Sequence, residues 1–337
     1  LASANSLAYP EGLSVDAAGD LYVADTGNCR VLEFEPPFTT DMSASRVIGE
    51  PNMSQGYPCN PTPSAGPNSM LAPTGVAVDS AGDLWVADGV AGRVTEYVPP
   101  LTNGMAATVA IGQTNLTNSW SCDGTEGQIP SAPTAANLCE PRSVSFDREG
   151  DLWVVDTGTQ RALEYVPPFA AGMDASVELG HPPGPDAFTT SINGYEPGTT
   201  NLNDPYGMTF DAEGNVWFGS PTETGVNDGV QGLVEFSPPF SDGMQGQLVA
   251  PDEPYNAPPT ANNVAFGWAL FGDRQGNLMV ADEWYNRVTV YALPLGPGMS
   301  ATVVIGQPNM TSMQRNGCPG GAPTANTLCG PEGVVEF

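Results

Sequence analysis

The sequence predicts an all-β fold assembled from repeated four-stranded antiparallel sheets, and three observations carry that prediction. A stretch typified by Leu71 to Pro100 is written five times along the 337-residue chain and then begun again. Within each copy the apolar residues alternate with the period of two that a half-buried strand requires. Helical periodicity of useful length is absent, and the 40 glycines and 34 prolines fall at turns locked to the repeat.

In Leu71 to Pro100, Gly75 to Asp79 reads as a first strand, and Asp79-Ser80-Ala81-Gly82 as the tight turn that ends it. Leu84 to Asp88 is a second strand, and Arg93 to Val98 a third, closed by Pro99-Pro100. A further repeated block follows each copy, and its core, such as Thr108 to Ile111 or Thr302 to Ile305, supplies the fourth strand. The turn aspartates Asp16, Asp79, Asp147, Asp211 and Asp273 recur at intervals of about 62 to 68 residues. They divide the chain into repeats over about 7–70, 71–137, 138–202, 203–263 and 264–327, with a partial sixth at 328–337. Units of this kind cannot bury their apolar faces alone, so neighbours must stack, and the chain reads as one repeat domain.

Residues that recur with the repeat read as framework. Trp85, Trp153 and Trp217 share one position, with Tyr22 and Met279 in the other copies. Met42, Met105, Met173, Met244 and Met299 share another, which makes them packing residues rather than a redox or copper site. Asp25 with Arg30, Asp88 with Arg93, Asp156 with Arg161 and Asp282 with Arg287 form a charged pair across the turn between the second and third strands. A guanidinium can hold a carboxylate bidentately and pin that hairpin. Four equivalent copies argue for a structural role over an active site.

Composition narrows the partners. There are 38 acidic and 9 basic residues, a formal charge of −29, and every basic residue is arginine. Such a surface repels phosphate backbones and anionic lipid, which argues against nucleic-acid binding and membrane adhesion. Solubility accounts for the acidity, with a cation-binding or acid-tolerant surface as the alternative. No apolar run reaches the roughly 18 residues needed to span a bilayer. The opening LASANSLAYP lacks the basic and apolar regions of a signal peptide, so an exported chain would already have lost its leader.

Six cysteines point to an extracellular or cell-surface location. Cys122 and Cys139 bracket one inter-repeat loop, and Cys318 and Cys329 bracket an equivalent one, each closing in Leu-Cys-x-Pro. Two local disulfides are expected there, with Cys29 and Cys59 joined across the first repeat. Free thiols or a metal site are the competing assignments, and neither accounts for spacing locked to the loops.

The pattern P-x-G-V-x-V-D-x-x-G-x-L-x-V-A-D-x-x-x-x-R-V resembles the NHL repeat over five copies. The resemblance implies a β-propeller, commonly six-bladed, in which each repeat forms one blade: here five four-stranded blades plus one strand of a sixth. Glu164 to Phe169 and Ile305 to Thr311 resemble blocks of a bacterial secreted subgroup. Lyases of similar fold rely on histidines at the axial mouth, whereas this chain has the single His181, in a loop position that Gln113 and Gln307 occupy in other copies. A zinc site of two or three histidines cannot be built from it. No carboxylate pair stands out for glycoside hydrolysis, and no nucleophile elbow, P-loop or dinucleotide fingerprint occurs. No cofactor is expected, although calcium remains open where carboxylates face the axis.

Three sequons, at Asn52, Asn115 and Asn309, share one repeat position. They mark exposed loops that are either glycosylated or shaped by a repeated Asn turn. Two places break the pattern. Copy 4 has Gly219 and Ser220 in place of the Asp, lacks the paired Arg and carries an enlarged loop, Pro221 to Gly232, suited to a grafted function. The second is Gly330 to Phe337, where Gly330, Pro331, Gly333, Val334, Val335 and Phe337 start a sixth inner strand without its partners. The resulting expectation is a non-catalytic exported module for interaction or structure, self-associating through this strand. The competing classes are a propeller lyase or sugar-active hydrolase using axial carboxylates, and a glycan-binding module using the off-repeat Trp120, Trp268 or Trp284.

Overall fold

A computed structural model describes residues 2–56, 65–118, 133–181, 188, 202, 204–220, 232–251, 258–264, 267–273, 275–292, 294–313 and 324–335. The fold is all-β, with five four-stranded antiparallel blades of propeller type. Blade 1 is β1 (Pro10–Val15), β2 (Leu21–Asp25), β3 (Arg30–Phe34) and β4 (Arg46–Ile48). Blade 2 is β5 (Pro73–Val78), β6 (Leu84–Asp88), β7 (Arg93–Tyr97) and β8 (Val109–Ile111). Blade 3 is β9 (Pro141–Phe146), β10 (Leu152–Asp156), β11 (Arg161–Tyr165) and β12 (Val177–Leu179). Blade 4 is β13 (Met208–Phe210), β14 (Val216–Ser220), β15 (Gly232–Phe236) and β16 (Gln247–Pro251). Blade 5 is β17 (Gly267–Gly272), β18 (Leu278–Asp282), β19 (Arg287–Tyr291) and β20 (Val303–Ile305).

Each blade is a meander in chain order, and its register is set at the turns. Asp79 Oδ1 accepts the Ala81 and Asp83 amides, both at 2.9 Å, which closes the first hairpin. Its Oδ2 accepts the Trp85 indole N–H at 3.1 Å, so the turn also fixes the large core side chain of the next strand. Asp147 holds Trp153 at 3.1 Å and Asp211 holds Trp217 at 2.8 Å in the same way, while Asp16 accepts from the Tyr22 hydroxyl at 3.3 Å. Burying an indole requires a partner for its N–H, and the turn aspartate supplies it.

Two compact units divide the chain, one built mainly of Leu1–Val177 and the other mainly of Ile192–Glu336. In the first, the inner strands β1, β5 and β9 run side by side. Gly12 and Gly75 allow this approach: a Cβ on Gly75 would lie 2.5 Å from the Arg142 carbonyl oxygen, and one on Gly12 2.5 Å from that of Thr74. Between blades 1 and 2, Tyr22, Val31, Ile48 and Met70 pack on Val76, Leu84, Val86 and Tyr97. Between blades 2 and 3, Trp85 meets Phe146 and Phe169 edge-on at 5.8 and 4.7 Å. Burying an aromatic of this size in an edge-on pair contributes about 0.5–1.5 kcal/mol beyond its area.

In the second unit, Trp217, Leu233, Val249 and Ala250 form one core with Leu270, Leu278, Val280 and Tyr291. Gly207 repeats the close approach, its missing Cβ leaving room for the Trp268 carbonyl oxygen 2.7 Å away. The expected sixth inner strand is not formed over its described part: residues 331–335 make no strand pairing. A strand needs a neighbouring edge to satisfy its amides, and the described residues offer this segment none as a ladder.

Gly75→Ala is expected to destabilise the fold by roughly 1–3 kcal/mol, because backbone atoms must move to admit the methyl group. Gly296→Ala, at a position with nothing within 4 Å of the added Cβ, should leave the urea midpoint nearly unchanged. Equal midpoints for the two variants would overturn the close-approach argument.

Candidate functional site

The repeated charged pairs are fully buried, and each forms a hub larger than one hairpin. In blade 2, Arg93 Nε and Nη2 lie 3.3 and 3.2 Å from the same Asp88 oxygen, Oδ2. The other oxygen, Oδ1, accepts the Leu71 and Ala72 amides at 2.9 Å, which explains why the two-oxygen fork expected from the sequence is not made. Arg93 Nη1 donates to the Leu116 carbonyl at 2.7 Å, and Nη2 to those of Gly66 and Ser69 at 3.1 and 2.8 Å.

The pattern repeats. Arg30 Nε lies 2.7 Å from Asp25 Oδ2, and Arg30 donates to the carbonyls of Ser3, Ser6 and Met53. Arg161 Nε lies 3.0 Å from Asp156, with the carbonyls of Thr134, Asn137 and Phe188 as further acceptors. Arg287 Nε lies 3.0 Å from Asp282, with Thr260, Asn263 and Met310. Each guanidinium thus ties the loop before its blade, the hairpin within it and the loop after it.

The position after the proline that leads into each inner strand, with Gly267 in place of that proline in copy 5, differs among the five complete copies, unlike the framework residues, and this makes it the candidate contact position. In the first unit it holds Glu11, Thr74 and Arg142. Arg142 Nη1 reaches Glu11 Oε2 at 3.5 Å past the intervening blade, and Thr74 donates to the Pro141 carbonyl at 2.9 Å. In the second unit it holds Tyr206 and Trp268, whose rings lie 4.4 Å apart, tilted by 35°. Both are partly exposed at the end of the blades where β17 begins. Glu283, two residues before the fully buried Tyr285, lies at the same end, and burial followed by repulsion from Asp282 raises its pKa. Spacing within a repeat could not reveal these pairs, because Glu11 and Arg142 belong to different copies.

His181 is buried, its Nδ1 against the carboxylate of Glu178, which is also buried. The Glu178 amide donates to Asp242 Oδ1 at 2.9 Å. The loop position expected for His181 therefore holds in the chain but not at the surface, and Glu178 was the missed partner.

Carboxylates gather at the hairpin turns. Asp147, Asp151 and Glu164 bring three oxygens within 4.8 Å of one another, a geometry that could hold a metal ion. Blades 1 and 2 place Asp16, Asp20 and Glu33, and Asp79, Asp83 and Glu96, at equivalent positions. Burial, then repulsion from the neighbouring turn aspartate, raises the pKa of Asp20, Asp83 and Asp151. Burial is also the leading cause of the raised values of Glu33, Glu96 and Glu235.

Cys29, Cys139 and Cys329 are disulfide-bonded, while Cys59, Cys122 and Cys318 lie outside the described residues. Most of the enlarged copy-4 loop (221–231), together with Trp120 and Phe337, also lies outside them. Trp284 sits in the turn before β19. At each sequon the asparagine is exposed, and its side-chain oxygen accepts from the residue two further on, as in Thr117 N–H to Asn115 Oδ1 at 2.9 Å. This is an Asx turn. Among the described residues no helix is long and apolar enough to cross a membrane.

This arrangement of blades is that of a β-propeller. A family model described as the NHL repeat matches residues 7–34. No curated protein matches the chain. Among solved structures, the periplasmic gluconolactonase of Pseudomonas aeruginosa aligns over 97% of this chain and 75% of its own, with 13% identity and a TM-score of 0.50. The nidogen/laminin complex aligns over 88% of this chain and 79% of that one, with 13% identity and a TM-score of 0.51. A protein from Lactobacillus plantarum gives 89%, 72%, 13% and 0.51 for the same quantities. Identities this low bear on the fold alone.

Carboxyls whose pKa is raised on folding bind protons more tightly in the folded state, so they oppose stability once ionised. Melting temperature is therefore expected to rise as pH falls from neutral through the raised values towards the ordinary carboxyl range, and to level off below it. Glu96→Gln should flatten that slope. A melting temperature that falls over the same window would contradict the assignment.

Proposed function

We propose that this chain is an exported, non-catalytic propeller that serves as an interaction module and associates with further copies of itself. The observation that carries the reading is the use made of the repeated ionisable groups: all four Asp–Arg pairs are fully buried in loop-tying hubs. What remains for recognition is an acidic exterior, Asn- and Thr-rich loops, and the strand-start residues that change from copy to copy. The three bonded cysteines favour an oxidising compartment, with Cys29–Cys59, Cys122–Cys139 and Cys318–Cys329 as the proposed clips of the inter-blade loops. In such a compartment Asn52, Asn115 and Asn309 are accessible acceptors for glycosylation. Calcium, if used, is assigned to Asp147, Asp151 and Glu164.

Self-association is assigned to Gly330–Phe337, whose described part leaves its backbone outside any ladder. An added strand is a common mode of chain-to-chain recognition. Light scattering and negative-stain imaging of the full chain should reveal oligomers that are lost when residues 329–337 are deleted. The same oligomers in both would sink this part of the reading.

A second reading, glycan binding, is favoured by the Tyr206–Trp268 pair, since adjoining, partly exposed aromatics offer an apolar surface to a sugar ring. Titration with oligosaccharides should quench tryptophan fluorescence in the native chain and not in Trp268→Ala. An unchanged response in the variant would remove this site from consideration. Propeller enzymes such as the gluconolactonase remain neighbours in fold, and that likeness assigns no chemistry here.

A further inference from the structure

We propose that Tyr206, Trp268 and Glu283 form a binding site for a primary ammonium group, the lysine side chain of a partner protein. The inference rests on the reading of this chain as an interaction module, and it names the chemistry of the partner.

The first observation is where the repeat places these residues. Gly267 pairs with Asp282 as Pro73 pairs with Asp88, and each ladder then bulges, so Trp268 stands at the position of Thr74 and Glu283 at that of Gly89. In blade 2 a Cβ on Gly89 would lie 3.4 Å from Thr74 Cγ2. The same geometry in blade 5 brings the Glu283 side chain alongside that of Trp268. Trp268 in turn meets the Tyr206 ring, with centroids 4.4 Å apart, and all three residues are partly exposed. Copy 5 alone has an acid at this hairpin position, where copies 1 to 4 have Thr26, Gly89, Thr157 and Pro221.

The second observation is the condition of the Glu283 carboxylate. It is half-buried, and burial followed by the charge of Asp282 works against its ionisation. The nearest arginine, Arg287, is committed to Asp282 and to the carbonyls of Thr260, Asn263 and Met310. Among the described residues no donor reaches the Glu283 carboxylate. A half-buried carboxylate in this condition is costly, and a ligand that brings a donor and a positive charge removes the cost.

The chemistry of the ligand follows. Aromatic rings attract a cation to their faces, and a carboxylate beside them accepts its N–H groups. A primary ammonium on an alkyl stem satisfies both, and the stem itself packs on the rings. A quaternary ammonium has no donor for Glu283, and a neutral sugar leaves the carboxylate's charge uncompensated. This chain contains no lysine, so a further copy of it does not carry the group on a side chain. The partner is therefore a different, basic protein, and the formal charge of −29 attracts such a partner.

The test follows the indole N–H signals of the full chain, labelled at tryptophan, while Nα-acetyl-lysine methylamide is added. The Trp268 signal, identified by its absence in Trp268→Phe, should shift to saturation, and Glu283→Gln should weaken the fitted affinity by about 10-fold. The remaining signals of the six tryptophans report that each variant is folded. Glu149→Gln, which removes the same charge from an exposed turn of blade 3, should leave the affinity unchanged, and the Nε-acetylated probe should give no shift. A Trp268 signal that does not move, an equal shift with the acetylated probe, or an affinity insensitive to Glu283→Gln would each overturn the proposal. Oligosaccharide binding without lysine binding would also overturn it while leaving the glycan reading standing, and the oligomers sought by light scattering are scored independently of both.

Discussion

The buried guanidinium is the interaction on which the rest of the structure depends. An isolated ion in the interior is disfavoured by several kcal/mol, and it is tolerated here because every hub supplies a carboxylate and backbone carbonyls around it. Lysine could not replace it, since a point charge on a flexible stem cannot address acceptors on three separate loops at once. Blade 4 shows what happens without the hub. Ser220 occupies the aspartate's place and pairs across the ladder with Gly232, while Gly219, at the position of Ala87, bonds to the inner strand through its backbone: its amide donates to the Gly207 carbonyl at 3.0 Å and its carbonyl accepts from the Tyr206 amide at 3.1 Å. A Cβ on Gly219 would lie 2.0 Å from the Gly267 carbonyl oxygen, so glycine there admits the start of the neighbouring inner strand.

The parts of the fold that were legible in the sequence are those whose information lies within one repeat. Period-two alternation placed Leu84 to Asp88 on a strand, and the fixed interval between Asp88 and Arg93 placed them across a hairpin. Reading failed where an interaction crosses repeats or involves a backbone atom. Carbonyls carry no residue identity, so nothing announced that Arg93 would reach Gly66, Ser69 and Leu116. The indole bond of Trp85 to Asp79 was within range of inspection, but tryptophan at a core position reads as apolar bulk and hides its N–H. His181 and Glu178 were separated by a strand end, where the alternation that assigns faces stops being a guide. Glu11 and Arg142 meet only because glycine lets neighbouring inner strands come close.

Acidity is distributed by the same architecture. A turn aspartate is needed in every copy to cap its hairpin, and a second acid beside it in blades 1 to 3 adds repulsion that the few arginines do not offset. Arg46 lies against Glu33 and Glu35 in blade 1, whereas Thr108 and Ser176 hydroxyls stand against Glu96 and Glu164 in blades 2 and 3. The framework is thus shared while the local electrostatics are not, and it is in such differences between copies that recognition has room to develop.

The reach of each hub also bears on how the protein is made. Arg30 engages carbonyls 27 and 24 residues before it and 23 after it, and Arg93 uses the same separations. Every latch is therefore encoded in one short continuous segment, and that of blade 1 is complete at Met53, before the latch of blade 2 opens at Gly66. A chain leaving the ribosome can close its sheets one after another, each clasped before the next has been synthesised, so the exposed edge of the growing array never exceeds a single blade.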